Sequence, residues 1–458
     1  MPVELVGKKS RASLPVHLVA RDALGDAGLE PGAAAWAKAN DFTGQAGKVL
    51  ILPGDGGELA GALLGTGNGE DGFGALTVGT LARTLPEGDW HFAVEPATPE
   101  IAALGLLLGG YSFTRYGRKP GKTLRFALPE GVDPERVRRI AGGVFLARDL
   151  VNTPANDMAP EALENAVHTL AEPHKASVSV IKGDALLAKN FPMIHAVGRA
   201  SHHAPRLIDL TWGPESAPKV TLVGKGVCFD TGGLDIKPAS GMLLMKKDMG
   251  GAANVLGLAS MIMSAGLNVR LRVLVPAVEN AISGDAFRPG DILPSRKGLT
   301  VEIGNTDAEG RLILADALSL ADEEEPQLLI DMATLTGAAR VALGPDLPPF
   351  YTPDDALAGE IAQAAETAAD PLWRMPLWEP YDAKLSSKIA DLNNVTTDGF
   401  AGSVTAALFL KRFVEKTRSW AHFDIFAWSP SDRPHCPAGA EAQGIRALER
   451  VVSARFGT

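Results

Sequence analysis

The second half of the chain alternates short apolar runs with longer helix-like stretches. Short, mainly apolar runs that lie between helical stretches are typical of strands in a sheet with helices on both faces. Stretches rich in Ala, Gly, Leu and Met predict helices over residues 248–265 and 308–322. The predicted strands cover residues 220–223, 269–275, 301–303 and 328–333. This alternation predicts an α/β domain whose mostly parallel mixed sheet is covered by helices.

The first 145 residues show a weaker form of the same alternation. Apolar runs at residues 49–52, 91–94 and 124–128 lie between stretches rich in Ala and Leu, which predicts a smaller α/β domain. Two prolines and three Asn or Asp residues between 151 and 160 interrupt the helical pattern. We therefore expect an N-terminal domain over residues 1–145, a junction over 146–160 and a larger catalytic domain over 161–458.

Composition is that of a globular protein rather than a disordered or fibrous one. Hydrophobic residues make up 46% and charged residues 21% of the 458 positions. The two cysteines, Cys228 and Cys436, are too few for a disulfide framework or a zinc site built from cysteines alone. The apolar run at residues 101–108 is too short to span a bilayer, and residues 1–30 lack the pattern of a secretory signal. We expect a cytoplasmic protein without a membrane partner.

Charge argues against nucleic acid as a partner. The formal net charge is −10, and residues 1–150, with 16 basic and 17 acidic side chains, are close to neutral. Nucleic-acid affinity comes largely from Lys and Arg on phosphates, so this chain offers little of it. An acidic protein is a better host for cations or for substrates that carry an amine.

Acidic side chains follow the predicted strands at three places. Asp230 lies in a glycine-rich segment after the strand at 220–223, Asp248 begins a helix, and Asp307 and Glu309 follow the strand at 301–303. In a parallel sheet, such strand-to-helix transitions gather at one edge, and we expect all three within one sheet. Four carboxylates there would repel one another unless cations neutralise them. Two divalent ions such as Zn, Mn or Mg would do so and would activate a bridging water.

Long segments around these acids resemble the motifs of the leucyl aminopeptidase (cytosol aminopeptidase) family. They occur in the family's order and spacing, and the resemblance covers about residues 145–425. No HExxH pair is present, so an ordinary zincin site is excluded. The matching segments are RDLVNTP at 148–154, GKGVCFDTGGLDIK at 224–237, MKKDMGGAA at 245–253, NTDAEGRL at 305–312 and ATLTGA at 333–338.

The resemblance implies a metal-dependent aminopeptidase with a role for each matching residue. Lys237 would polarise the scissile carbonyl, and Arg311 would hold a bicarbonate that acts as general base. Two divalent ions, Zn or Mn, would be held by one cluster of side chains, with a tighter site at Lys225, Asp230, Asp248 and Glu309 and an exchangeable site at Asp230, Asp307 and Glu309. The substrate-binding residues would be Met245, Thr334 and Gly337, which would line the pocket for the N-terminal side chain, and Leu335, whose carbonyl would accept a hydrogen bond from the substrate.

The resemblance also implies a homohexamer that acts on peptides with a free N-terminus, with leucine or another apolar residue preferred. The sequence departs from the family pattern at two places, of which the second, in the C-terminal stretch, bears on the leucine preference. Cys228 stands where the family commonly has Thr, and residues 426–437 replace a Gly-containing stretch. Two alternatives stay open: a narrow dipeptidase, such as a Cys-Gly hydrolase, which polar side chains near Met245 would favour, and a nucleic-acid-binding family member with secondary peptidase activity.

Overall fold

The computed structural model describes residues 3–69, 73–117 and 123–457. Within these, the chain forms two compact units. One comprises residues 1–145 and 429–439, and the other comprises residues 146–428 and 440–458. No helix in the described ranges is long and apolar enough to cross a membrane.

The first unit contains a six-stranded sheet. Its strands are β1 Val3–Val6, β2 Leu14–Ala20, β3 Val49–Pro53, β4 Leu59–Gly67, β5 Gly88–Phe92 and β6 Leu124–Ala127. Their order is β1-β6-β5-β2-β4-β3, and every neighbouring pair is parallel except β3 with β4. The helices of this part of the chain are α1 Pro31–Ala39, α2 Leu81–Thr84, α3 Pro99–Gly109 and α4 Pro134–Asn152, the last of which continues into the second unit.

The second unit is built on a nine-stranded sheet. Its strands are β7 Ser177–Lys182, β8 Arg206–Trp212, β9 Lys219–Gly224, β10 Gly226–Asp230, β11 Arg270–Asn280, β14 Leu328–Ala333, β15 Pro349–Tyr351, β16 Trp373–Arg374 and β18 Trp420–Asp424. A separate three-stranded sheet holds β12 Ile292–Pro294, β13 Thr300–Glu302 and β17 Leu392–Asn393, and the short strands β19 Trp428–Ser429 and β20 Gly439–Ala440 pair with each other.

The centre of the large sheet is parallel. The path runs β16-β15-β18-β14-β9-β11-β8-β7, with β10 also paired to β11. The four central strands β18, β14, β9 and β11 are parallel to one another, whereas the β15–β18, β11–β8 and β8–β7 pairs are antiparallel. Every residue of β14 is buried, as expected for a strand covered on both faces. These findings confirm the predicted fold class.

Helices supply the rest of the second unit's core. They are α5 Pro160–His174, α6 Ala185–Ala188, α7 Pro192–Gly198, α8 Ala239–Met242, α9 Gly250–Ala265, α10 Glu309–Glu323, α11 Gly337–Leu343, α12 Asp355–Thr367, α13 Gly402–Lys411 and α14 Ile445–Phe456. Helix α9 is buried over most of its length and ends at Gly266, whose φ of +64° is the left-handed C-cap that glycine adopts without strain.

One expectation about the sheet was wrong. We expected the acid-bearing transitions to belong to one sheet, but β13, which precedes Asp307, pairs with β12 and β17 in the three-stranded sheet. A three-residue apolar run carries no information on its pairing partner, because that partner is set by residues distant in the chain. The prediction also missed β10, which passes through the glycine-rich segment and pairs with β11 across a register shift between Val227 and Phe229.

Candidate metal centre

Lys225 and Asp230 are placed by the two strands that leave the glycine-rich segment. Lys225 lies between β9 and β10, where its backbone N–H donates to the Met332 carbonyl at 3.0 Å. Its ammonium donates to the Thr334 carbonyl at 3.0 Å. Asp230 ends β10, and its Oδ1 accepts from the Gly232 N–H at 2.8 Å. Both side chains are buried and held by backbone groups, so the strand ends fix their directions.

Asp248 comes from a short 3-10 helix, Met245–Met249, directly before α9. Its Oδ1 accepts from the Thr334 hydroxyl at 2.8 Å, and the same hydroxyl lies 3.0 Å from the Asp248 carbonyl. Thr334 follows β14 in the chain. The end of β14 therefore orients two residues of the site, Lys225 through a carbonyl and Asp248 through a hydroxyl.

Asp307 and Glu309 lie at the start of α10, and the preceding residue ties this segment to the glycine-rich loop. The Thr306 hydroxyl donates to the Gly232 carbonyl at 2.6 Å, and its N–H donates to Asp235 Oδ2 at 2.8 Å. Gly233 has a φ of +66°, and a Cβ there would lie 3.0 Å from the Thr306 hydroxyl oxygen. The loop and the helix start can approach this closely because glycine occupies that position.

Three carboxylates meet at this point. Among the described residues, Asp230, Asp307 and Glu309 each offer an oxygen, and these oxygens all lie within 4.8 Å of one another. Asp230 and Glu309 are buried, whereas Asp307 is partly exposed. A hard or borderline divalent cation is the group that such a set of oxygen donors holds.

Two lysine ammonium groups occupy the space around these acids. Lys225 Nζ lies 2.7 Å from Asp248 Oδ2 and 2.9 Å from Glu309 Oε1. Lys237 Nζ lies 2.8 Å from Asp230 Oδ2 and also contacts Asp307. The four carboxylates therefore divide into two pairs, each with one ammonium beside it.

The pKa values of these side chains reflect the crowding of like charges at a buried site. Burial, followed by repulsion from Asp230, raises the pKa of Glu309 to about 8 and that of Asp307 to about 6. Burial by itself would lower the pKa of Lys225, but the carboxylates of Asp248 and Glu309 outweigh it and raise that pKa above its ordinary value. Without cations, the lysines are the charged partners of these acids.

The residues present fit divalent cations. Asp248 Oδ2, Asp307 Oδ1 and Glu309 Oε1 are buried and accept no hydrogen bond from the described residues. Each has only a lysine ammonium beside it, without the geometry of a hydrogen bond. Buried carboxylate oxygens normally have partners, and cations would satisfy all three. A neutral Lys225 would add a nitrogen donor to the set.

Arg311 lies behind the carboxylates rather than in the cavity wall. Its side chain is buried, and Nη1 donates to the Asn394 carbonyl at 2.5 Å. Within the described part of the chain, its Nε has no hydrogen-bond partner. Burial lowers the pKa of Arg311 to about 10, which leaves the guanidinium charged at neutral pH. A buried, unpaired N–H on a cation is a suitable donor for a small anion.

A cavity of about 420 Å³ opens onto the carboxylates. It contains most of the predicted site residues, namely Lys225, Asp230, Lys237, Met245, Asp248, Asp307, Thr334, Leu335 and Gly337. Glu309 and Arg311 do not line it. Lys247, Arg340 and Phe426 also line the cavity, and the sequence analysis did not name them as site residues. Burial lowers the pKa of Lys247 to about 8.

Two buried asparagines organise the site, and sequence reasoning missed both. Asn280, at the end of β11, donates to Asp230 Oδ1 at 2.9 Å and to the Thr306 carbonyl at 3.1 Å. Asn394 accepts from the Gly304 N–H at 2.8 Å and donates to the Asn305 carbonyl at 2.7 Å. Asn280 ends a strongly apolar strand, which was a usable signal, but Asn394 lies in an irregular segment without one.

The family assignment follows from comparison with known proteins. The family model described as "Cytosol aminopeptidase family, catalytic domain" matches residues 145–449, and "M17 aminopeptidase, N-terminal domain" matches residues 14–129. The chain belongs to the cytosol aminopeptidase family. The protein is therefore a metal-dependent aminopeptidase, a hydrolase that removes residues from the N-termini of peptides.

Individual relatives agree with this assignment. A probable cytosol aminopeptidase of Chlamydia abortus is 38% identical over 89% of this chain and 88% of its own length. The crystal structure of a cytosol aminopeptidase from Coxiella burnetii is 45% identical, with a TM-score of 0.93 and 99% of both chains covered. The bottromycin maturation enzyme BotP, solved in complex with Mn, is 32% identical, with a TM-score of 0.86 and coverage of 97% of this chain and 99% of its own.

Proposed function

We propose that this aminopeptidase uses two divalent ions, Zn or Mn, held by the carboxylate cluster. Lys225, Asp230, Asp248 and Glu309 would hold the tighter ion, and Asp230, Asp307 and Glu309 the exchangeable one. The observation that carries the proposal is the convergence of Asp230, Asp307 and Glu309, whose oxygens lie within 4.8 Å of one another beside a cavity that Asp230 and Asp307 line. When bound, such ions lower the pKa of water, polarise a carbonyl and bind a free amine.

The side chains around the ions have distinct tasks in this proposal. The Lys237 ammonium, which lines the cavity beside Asp230 and Asp307, would stabilise the negative charge that develops on the scissile carbonyl oxygen. Arg311 would hold a bicarbonate near Glu309, and its unpaired buried Nε supports this assignment. That anion is the group to which a proton of the attacking water would pass.

A free N-terminus is required because the substrate's amine must reach the metal centre. Met245, Thr334, Leu335 and Gly337 line the cavity, and we propose that they surround the side chain of the N-terminal residue. The apolar walls at Met245 and Leu335 support leucine or another apolar residue as a substrate. A blocked N-terminus would abolish cleavage, because it removes the basic nitrogen.

The first test measures hydrolysis of leucine p-nitroanilide by the purified protein as isolated, after chelation, and after Zn or Mn is restored. Activity that disappears with chelation and returns with metal is expected. Metal content per chain, measured by inductively coupled plasma mass spectrometry, is expected to approach two. A fully active protein with one ion per chain would contradict the two-metal proposal.

Glu309 provides the sharpest variant for the same proposal, because its carboxylate belongs to both of the proposed metal sites. Glu309→Ala is expected to abolish turnover and to reduce metal content at both sites. Near-normal activity in this variant would make the two-metal assignment wrong. Glu323→Ala is a matched control at the other end of α10, where Glu323 pairs with Arg296 at the surface.

A narrow dipeptidase is a second candidate, favoured by the polar groups near Met245. Lys247, Thr334 and Arg340 all line the cavity, and such groups favour a restricted set of substrates. Hydrolysis of Cys-Gly is to be compared with that of leucine-containing tripeptides. A dipeptidase would cleave Cys-Gly and leave the tripeptides intact, whereas a general aminopeptidase would cleave both.

We further propose a cytoplasmic homohexamer. The exposed apolar side chains of Leu243, Val341 and Phe400 in the second unit support an assembly that covers them. Sedimentation is expected to give six times the chain mass of 48.0 kDa. A monomer at micromolar concentration would contradict the assembly, and cell fractionation would test the compartment.

A further inference from the structure

Lys247 is a buried cation without an anionic partner. It lies in the 3-10 helix directly before Asp248, and only 5% of it is exposed. Among the described residues, its ammonium has no carboxylate within ion-pair distance and no hydrogen-bond acceptor. It lies 5.0 Å from the centroid of the Phe426 ring. A cation–π contact offsets only part of the cost of burying an ammonium, so the site lacks an anion.

Arg340 brings a second cation to the same ring. Its guanidinium carbon lies 4.8 Å from the Phe426 centroid, and both residues line the cavity with Lys247. Within the described ranges, no acidic side chain forms an ion pair with Arg340. One wall of the cavity thus carries two positive charges around an aromatic ring.

The acidic side chains that line the cavity are already engaged. Asp230 and Asp307 face Lys237, and Asp248 faces Lys225. Asp424 accepts from the N–H groups of Leu335 and Thr336 at 3.0 and 3.1 Å. None of these carboxylates forms an ion pair with Lys247 in the described part of the chain, so its ammonium can bind an anion from outside the chain.

The adjacent lysine behaves differently. The Lys246 ammonium donates to the Asn152 carbonyl at 2.7 Å and lies 5.5 Å from the Trp428 ring centroid. Lys246 does not line the cavity. The two consecutive lysines therefore have distinct environments. The Lys246 ammonium is hydrogen-bonded to a backbone carbonyl, whereas the Lys247 ammonium lies at the cavity without an ion-pair partner among the described residues. This contrast provides a matched control.

We propose that Lys247, assisted by Arg340, binds the side-chain carboxylate of an acidic N-terminal residue, so that the enzyme releases glutamate or aspartate in addition to apolar residues. This inference rests on the proposed function. The anion is assigned to the side chain rather than to a peptide C-terminus because Lys247 lines the same cavity as Met245 and Asp248. These two residues belong to the proposed side-chain pocket and to the metal cluster.

The test compares glutamate with its neutral isostere in metal-loaded protein. Glutamyl, glutaminyl and leucyl p-nitroanilides have no C-terminal carboxylate, so a charge effect on them comes from the side chain. The wild-type ratio of kcat/KM for glutamyl over glutaminyl substrate is expected to exceed about 10, since a buried charge pair discriminates by at least this factor. Lys247→Met is expected to bring the ratio to 1 or below.

Two further variants keep the test decisive. Lys246→Met removes a neighbouring charge outside the cavity and is expected to leave the ratio unchanged. Arg340 is exposed, so Arg340→Met will not disturb folding and is expected to lower the ratio about threefold or more. If Lys247→Met fails to fold, the Arg340→Met result decides.

The outcomes separate this inference from the function on which it rests. Metal-dependent cleavage of the leucyl substrate, with a glutamyl-to-glutaminyl ratio near 1 in the wild type, overturns the inference and leaves the aminopeptidase proposal intact. A Lys247 effect confined to unblocked dipeptides, absent from anilides, also overturns it, because the ammonium would then bind a C-terminal carboxylate. If the protein cleaves none of these substrates in any metal state, both proposals are wrong.

Discussion

At the scale of single residues, the site depends on side chains that never touch substrate. Asn280 is fully buried and bonds both Asp230 and the segment before Asp307. It therefore joins two of the three elements that supply carboxylates. Partners of metal-binding carboxylates set their direction, and their loss commonly weakens metal binding by about 10- to 100-fold.

Asn280→Ala is expected to weaken metal binding by about 10- to 100-fold and to lower kcat under limiting metal, because Asp230 and α10 lose their common donor. Equilibrium dialysis against Zn or Mn measures the affinity. Asn165→Ala, at an exposed position of α5, is the control. Wild-type affinity in Asn280→Ala would show that the strand ends alone orient Asp230.

The residues that the sequence analysis found and missed differ in a physical way. Asp230, Asp248, Asp307 and Glu309 stand in long motifs at strand-to-helix transitions, where local pattern carries the signal. The roles of Asn280 and Asn394 arise from contacts between positions 26 to 90 residues apart, which no local pattern encodes. The contact between the Lys247 ammonium and the Phe426 ring likewise joins residues that are distant in the chain.

At the scale of elements, the long apolar runs were the reliable predictors. The strand predicted at 328–333 matches β14, and the helix predicted at 308–322 matches α10 within one residue. Burial on both faces makes such runs continuous and easy to recognise. Strand β10 was missed because the glycines in and around it favour turns, and it is stabilised instead by pairing with β11.

Helix α9 packs so closely on β14 that one added methyl group would separate them. A Cβ at Gly251 would lie 2.1 Å from the Met332 carbonyl oxygen. Gly251→Ala is therefore expected to reduce the free energy of unfolding by about 3 kcal/mol, at the upper end for overpacking, as measured by urea denaturation. Gly359→Ala is the control, since a Cβ in that position of α12 meets nothing within 4 Å. Equal effects from both variants would refute the packing argument.

A buried charge network links β14 to β18. Asp331 lies 2.5 Å from His422 Nδ1 and accepts from the Trp420 Nε1–H at 2.8 Å. Burial by itself would lower the pKa of His422, but Asp331 outweighs burial and raises it. The pair thus contributes stability that is fully present below the ordinary histidine pKa of about 6.5 and is lost as pH rises through the raised value.

Asp331→Asn is expected to destabilise the protein by about 3 to 5 kcal/mol at pH 6, because it leaves a buried imidazolium without its anion. The difference from wild type should shrink as pH rises, since a neutral His422 needs no anion. Urea denaturation of chelated protein at several pH values measures it. A difference that stays constant with pH would show that the Trp420 contact alone accounts for the effect.

At the scale of the whole molecule, all residues of the proposed metal centre belong to the second unit. The predicted ligands lie between positions 225 and 309, within the unit that comprises residues 146–428 and 440–458. Ligands that bind only the folded state stabilise the elements that hold them. Metal binding should therefore stabilise the second unit, and the stability of the six-stranded sheet in the first unit should not depend on metal.

Removal of metal is expected to lower the thermal midpoint and to increase hydrogen exchange around β9, β10, the 3-10 helix before α9 and the start of α10. These segments lose the cations that join them, and the like-charged acids then repel one another. Hydrogen-exchange mass spectrometry of metal-loaded and chelated protein measures this, and restored metal should reverse it. An equal increase in β1–β6 would contradict the prediction, because it would mean that the first unit also depends on the metal centre for its stability.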